Sequence, residues 1–317
     1  MKRRPASLEK PKALRKGSRL AIVSPSSPAE PETIAAGIRE LTRLGFQVDP
    51  PPVLAPDGYF AGEHEKRARL FCKAFHNGKI SGVIAARGGY GANYLIDFRI
   101  ATSLVGPKCL IGYSDLNVIQ LLLLEIRQWV GFYGPMVAAR LNHGSGNPSG
   151  YDELSFLQAV TETRSGWEIP LQGEAYLSGR TGSAMGRLVG GCLTMLQTTL
   201  GTAWEPDTDG AILLLEDRGM KPYQVDRAMR HLQQAGKLAK VTGIVLGDFP
   251  DCEGQPGSPT VHDILKPILA PLRIPVVYGA PVGHTKRPML TIPLGVPARL
   301  HAKGEGLLEI LETAVTE

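Results

Sequence analysis

No apolar run among the 317 residues approaches the roughly 18 consecutive positions of a membrane-spanning helix. The basic N-terminal stretch is followed by no apolar segment of the kind that marks a secretory signal. A chain acting away from membranes, in the cytoplasm, is therefore expected. Cysteine is scarce: Cys72, Cys109, Cys192 and Cys252 lie far apart, with no C-x-x-C and no histidine at metal-ligand spacing. They read as buried thiols in a reducing compartment. Aromatic residues make up 6% of the chain, and none interleaves the dense basic cluster that runs from Lys2-Arg3-Arg4 to Lys16. Residues 1–17 are therefore expected to form a solvated tail rather than a nucleic-acid arm. Helix-turn-helix, finger, P-loop and G-x-G-x-x-G patterns are also missing, so no nucleic-acid or dinucleotide site is indicated.

The composition that remains, 43% hydrophobic and 21% charged, is that of a soluble globular protein. Its length exceeds what one ordinary core covers and suggests two domains. A net charge of +5 suits an anionic substrate as well as it suits nucleic acid. Strand-like apolar runs (20–24, 82–86, 108–111, 130–133) alternate with helical patterns (32–44, 63–76, 116–127), the signature of an α/β fold with a doubly wound, mostly parallel sheet over residues 18–150. From Asn142 to about Gly182, glycine and proline break every long period, and residues 151–182 are expected to be a linker. Residues 183–317 then read as a second, smaller α/β domain. Its helices are expected over 188–200, 223–235 and 261–269, and its strands over 211–215, 241–246, 274–278 and 290–300.

In open α/β sheets, ligands gather beyond the carboxyl ends of the strands. Four segments there carry chemistry. Gly112-Tyr113-Ser114-Asp115-Leu116 is a strand-turn-helix joint that would expose the Ser114 hydroxyl and aim the first helical N–H groups at whatever it attacks. Leu116 stands where a G-x-S-x-G elbow has its second glycine, so an α/β-hydrolase fold is not implied. The competing role for Ser114 or Asp115 is to cap the following helix. Arg87-Gly88-Gly89-Tyr90-Gly91 would bring backbone N–H groups to an anion or oxyanion, or form a plain turn. Glu216-Asp217 ends a strand of leucines, where either acid could instead pair with Arg218 or Arg227. Gly283-His284 supplies an imidazole that by itself carries little weight. Together, a serine, an acid and a histidine on loops after strands meet the needs of acyl transfer: a hydroxyl, a base and a carboxylate that orients the base. The site would then lie in the cleft between the domains.

These stretches also resemble the serine LD-carboxypeptidases, the family of muramoyl-tetrapeptide carboxypeptidases and microcin C immunity peptidases. The matching segments are RLAIVSPSSP (19–28), RGGYGAN (87–93), IGYSD (111–115), LLED (214–217), PYQVDR (222–227), GIVLGDF (243–249), Gly283-His284 and LTIPLG (290–295). They run in family order from about residue 18 to 302. The resemblance implies Ser114 as nucleophile, His284 as general base and Glu216 as its orienting acid. It also implies an oxyanion hole from backbone N–H groups of Asp115, Gly88 and Gly89, a two-domain and often dimeric protein, and no metal or cofactor. The expected reaction is release of the terminal D-Ala from murein tetrapeptide, in cell-wall peptide recycling.

Murein peptides carry several carboxylates, which arginine and lysine bind by charge-assisted hydrogen bonds. Arg87, Arg180, Arg187, Lys286 and Arg287 are the basic residues considered for this, with Arg87, Tyr90 and Arg287 the substrate-binding candidates. Asn117 departs from the threonine expected in IGYSD-x-T, which bears on packing or substrate fit. Two alternatives remain: an immunity-type peptidase acting on a peptidyl or aminoacyl nucleotide, for which Trp167, Trp204 or Tyr176 could form an aromatic platform, and a non-catalytic muropeptide-binding protein.

Overall fold

The computed structural model describes residues 7–176 and 182–317, so Arg180 lies outside the described residues. In chain order the elements are β1 (Arg19–Val23), α1 (Pro31–Arg43), β2 (Gln47–Asp49), α2 (His64–His76), β3 (Gly82–Ala85), α3 (Ile100–Ser103), β4 (Cys109–Gly112), α4 (Asn117–Arg127), β5 (Gly131–Tyr133) and α5 (Glu153–Thr161). They continue with β6 (Trp167–Pro170), β7 (Glu174–Ala175), β8 (Gly182–Cys192), α6 (Leu193–Thr198), β9 (Ile212–Glu216), α7 (Pro222–Gln234), β10 (Gly243–Gly247), α8 (Val261–Leu269), β11 (Val276–Ala280), β12 (Ile292–Leu294), β13 (Pro297–Ala302) and β14 (Leu307–Ile310).

The first sheet has the order β12-β5-β4-β3-β1-β2. Its first five strands in the chain are mutually parallel, the expected doubly wound arrangement. Strands β3 and β4 are buried along their whole length, because helices cover both faces of a parallel sheet and leave it no solvent side. The second sheet has the order β6-β14-β13-β8-β9-β10-β11-β7, in which β8 to β11 are parallel and the outer strands antiparallel. It has eight strands to the six of the first.

Three expectations meet a different arrangement. The run 290–300 is not one extended segment: β12 pairs with β5 of the first sheet, β13 pairs with β8 of the second, and the chain turns between them at Gly295. Residues 188–192, read as the start of a helix, are the end of β8, because a short apolar run suits a buried strand as well as a buried helix. The segment 151–182, expected as linker, carries α5 and two edge strands of the second sheet.

The basic tail is a fourth case, from Leu8 onward. Leu14 is 1% exposed and donates its N–H to Val160 O at 2.8 Å. Glu9 accepts from the Trp129 indole at 3.0 Å, and Lys10 pairs with Glu312 at 3.1 Å. Leucines and an alanine among the lysines pin the strand-like segment to the core, which a count of charges alone conceals.

Apolar residues of both sheets belong to one continuous core, Ile22, Ile84 and Phe132 with Ile212, Leu214 and Val245 among them. Polar bonds add to that junction. Asn117, at the start of α4, is fully buried; its amide donates to Gly190 O at 3.1 Å and its oxygen accepts the Cys192 N–H at 3.1 Å. The residue in place of the expected threonine therefore ties the helix behind Ser114 to the end of β8. Removing it would orphan a buried donor and acceptor, worth about 1–3 kcal/mol for the group left unpaired. Asn117→Ala is expected to lower the thermal unfolding midpoint by several degrees, measured by calorimetry, and an unchanged midpoint would contradict the tether.

Candidate active site

Strand β4 runs out at Gly112, where an added Cβ would stand 2.5 Å from Leu116 Cδ2. The room that a nucleophile elbow takes from its second glycine is supplied here by the residue before Tyr113, and Leu116 fills it. Ser114 follows with φ +61°, a left-handed conformation that non-glycine residues hold only when their surroundings impose it. Gln120 Nε2 donates to Gly112 O at 3.0 Å, and Gly134 N–H donates to the same oxygen at 3.2 Å. Neither Ser114 nor Asp115 caps the helix. The Asp115 carboxylate instead accepts the Ala92 N–H at 2.8 Å, tying the serine turn to the glycine-rich loop.

That loop lies directly against the serine: a Cβ added at Gly88 would sit 3.0 Å from both Ser114 Cβ and Oγ. Its shape is fixed from two sides. Ser27 Oγ accepts the Tyr90 N–H at 3.1 Å, and the buried Arg67 donates to Gly91 O at 3.0 Å and Gly62 O at 2.8 Å. Arg67 was not singled out from the sequence, since an arginine on an amphipathic helix is ordinarily solvated.

The acid and the histidine come from the second sheet. Strand β9 carries Glu216 to its last position, where the carboxylate is 0% exposed. One oxygen, Oε2, accepts both the His284 backbone N–H at 2.8 Å and His284 Nδ1 at 3.0 Å. The other, Oε1, accepts the hydroxyl of Tyr133 on β5, across from the first sheet. With Nδ1 donating to the carboxylate, His284 Nε2 is left as an acceptor. Burial alone would lower the imidazole pKa, but the Glu216 charge and hydrogen bond outweigh it and hold it above the usual histidine value. Burial likewise pushes the carboxyl up, yet His284 and the Tyr133 hydroxyl bring Glu216 below its ordinary range. Asp217, its neighbour, moves the other way, raised by burial and by the Glu216 charge. Its carboxylate is taken up by the Thr194 N–H at 2.8 Å and hydroxyl at 2.7 Å.

Arg140, which no motif marks, holds the histidine loop. It donates to Gly283 O at 3.2 Å and Thr285 O at 2.6 Å, the carbonyls on either side of His284. The Tyr113 ring packs edge-on against His284, centroids 5.1 Å apart. These residues line a cavity of about 300 Å³ whose wall includes Arg140, His143, Arg218, Lys286 and Asp251. Asp251 pairs with Arg218 at 2.9 Å and Lys286 at 3.1 Å.

The other candidates have contacts of their own. Arg287 spends its guanidinium on Asp248 at 2.7 Å, Gln172 O at 2.8 Å and Gly279 O, so it braces the second sheet's loops. Arg187 pairs with Glu125 at 2.9 Å. Arg87 is exposed and donates to Pro28 O at 3.2 Å. Tyr90 is 44% exposed and packs in an aromatic cluster with Tyr59, Phe60 and Tyr94. Trp167 lies in β6, Tyr176 bonds His262 O at 2.8 Å and Trp204 packs on the core. None of these three is among the residues lining the cavity beside His284.

The LD-carboxypeptidase N-terminal domain matches residues 20–134 and the C-terminal domain residues 185–300. The probable murein peptide carboxypeptidase of Bacillus subtilis (strain 168) is 31% identical over 314 residues, covering 97% of this chain and 96% of its own. This chain belongs to the LD-carboxypeptidase family. It is an enzyme of the serine-type hydrolase class that the family comprises. The crystal structure of muramoyltetrapeptide carboxypeptidase from Oxalobacter formigenes shares its two-domain α/β fold with a TM-score of 0.80 at 30% identity, covering 93% of this chain and 99% of that one. The microcin C7 self-immunity protein MccF of Escherichia coli is 28% identical over 316 residues, covering 88% of this chain and 89% of its own.

In this LD-carboxypeptidase, the Glu216 carboxylate fits because residue 283 has no side chain. A Cβ there would fall 2.3 Å from Glu216 Cδ, and its φ of +60° disfavours any other residue. Gly283→Ala is expected to cut kcat at least ~10-fold and to destabilise the protein by roughly 1–3 kcal/mol. Wild-type kinetics and melting in that variant would show that the pair does not need this contact.

Proposed function

We propose that the chain hydrolyses the L,D-peptide bond that releases the terminal D-Ala of murein tetrapeptide, with Ser114 as nucleophile, His284 as general base and Glu216 as the acid that orients it. The observation that carries this reading is the pairing of the buried Glu216 with His284 at 3.0 Å, set beside a serine turn held at φ +61°. Ser114 Oγ attacks the carbonyl carbon while its proton passes to His284 Nε2. The oxyanion settles on the Asp115 N–H and the Gly88-Gly89 backbone, each donor worth roughly 2.7–4 kcal/mol in the transition state. The C–N bond breaks as His284 returns the proton to the departing D-Ala amine. Water, deprotonated by the same imidazole, then cleaves the acyl-enzyme and restores Ser114.

The cavity lining carries Arg140, Arg218 and Lys286 against one acid, Asp251, an excess of positive charge that suits the carboxylates of such a peptide. The relatives named for murein peptides support this substrate, and by family resemblance the working form is a cytoplasmic homodimer needing no metal. A second reading, cleavage of an aminoacyl or peptidyl nucleotide, draws on the MccF relatives, of which one structure is a complex with aspartyl sulfamoyl adenosine. It is the less supported, because Trp167, Trp204 and Tyr176 are engaged away from the cavity.

Mass spectrometry of products from murein tetrapeptide and from processed microcin C separates the readings. Wild-type protein is expected to release D-Ala from the first, and Ser114→Ala to lose ~10⁴-fold or more in kcat. Because His284 must be neutral to accept the proton and its pKa is raised, kcat/KM should climb with pH through a midpoint above about 6.5. Full activity in Ser114→Ala would refute the nucleophile, and cleavage of the nucleotide conjugate alone would transfer the protein to the second reading.

A further inference from the structure

We infer that Tyr133 is a positioning residue that sets the basicity of His284 by donating its hydroxyl to the far oxygen of Glu216. The inference rests on the Ser-His-Glu reading and deepens it. Tyr133 is the last residue of β5, 0% exposed, and its ring packs edge-on against Tyr113 at 6.2 Å, which in turn packs against His284. Its hydroxyl donates to Glu216 Oε1. Register fixes the position: Ile292 of β12 lies opposite Tyr133, closing the sheet edge over it.

The division of labour on the carboxylate is what gives the hydroxyl its consequence. Oε2 is occupied by the His284 N–H and Nδ1, while Nδ1 lies farther from Oε1, at 3.3 Å. The phenol therefore draws charge toward the oxygen that the imidazole uses less. Removing it concentrates the negative charge on the histidine side, which stabilises the imidazolium. The other groups facing this pair are Asp217 beyond β9, Cys192 at the end of β8, and Arg140 and Tyr113 from the first sheet's loops, with Arg218 farther along. None of them donates to Oε1 among the described residues, so none replaces the phenol.

The test is the pH dependence of D-Ala release by Tyr133→Phe, which keeps the ring and removes only the hydroxyl. The expected result is a ~10-fold fall in kcat with KM little changed and the acid limb of kcat/KM moved up by about one pH unit. Site-specific 3-fluorotyrosine at 133, a stronger donor of nearly the same shape, should move the limb down, and it serves if the phenylalanine variant does not fold. A fall in kcat with the limb unmoved would reduce Tyr133 to packing and overturn the inference, as would wild-type behaviour in both variants. If Ser114→Ala remained active, the triad reading would fail first, whatever Tyr133 does.

Discussion

A carboxylate with no exposed surface governs this structure. Glu216 has lost its water, and an ion in that position is tolerated only if hydrogen bonds and an opposite charge replace what hydration supplied. Three donors do so, and they come from both sheets: the Tyr133 hydroxyl from β5, and the backbone N–H and Nδ1 of His284 from the loop after β11. The packing around them follows from that need. Position 247 has no room for a side chain, because a Cβ there would meet Glu216 Cβ at 2.5 Å, and Arg140 reaches from the first sheet to hold the carbonyls flanking the histidine. The adjacent Asp217 shows the alternative fate of an acid at a strand end, satisfied by the N–H and hydroxyl of Thr194 on α6.

The first sheet answers with strain. Ser114 at φ +61° and Arg140 at φ +94° both hold backbone conformations that cost about 1–3 kcal/mol each for non-glycine residues. They persist because neighbours over-determine them: the Asp115–Ala92 bond and the Gly112 carbonyl bonds for the serine, the two loop carbonyls for the arginine. The core cluster that both sheets share and the Asn117 tether keep these strained parts in register with Glu216. The placement of Ser114, Glu216 and His284 is thus a property of the junction, with neither sheet holding all three.

Much of this was legible from residues alone. The parallel sheet of residues 18–133 is read from runs such as Gly82–Ala85, fully buried and therefore continuously apolar. The serine, acid and histidine were singled out because each ends or follows such a run. Tyr133 and Arg140 were not, since a tyrosine finishing a strand and an arginine in a loop carry no local mark of a partner 83 or 143 residues away in the chain. Arg287, read as a carboxylate-binding candidate from its charge in a glycine-rich loop, is engaged by Asp248 and two carbonyls that no local pattern announces. The run 290–300 was seen as extended, yet no periodicity tells that Gly295 hands the chain from one sheet to the other.

Replacing Glu216 by glutamine tests the central claim most directly, because shape is kept and the charge is removed. If the buried carboxylate orients and polarises His284, Glu216→Gln should lower kcat on the order of 10³–10⁴-fold with KM nearly unchanged, and move the acid limb of kcat/KM downward. A folded Glu216→Gln enzyme with wild-type kcat and an unmoved limb would contradict the account.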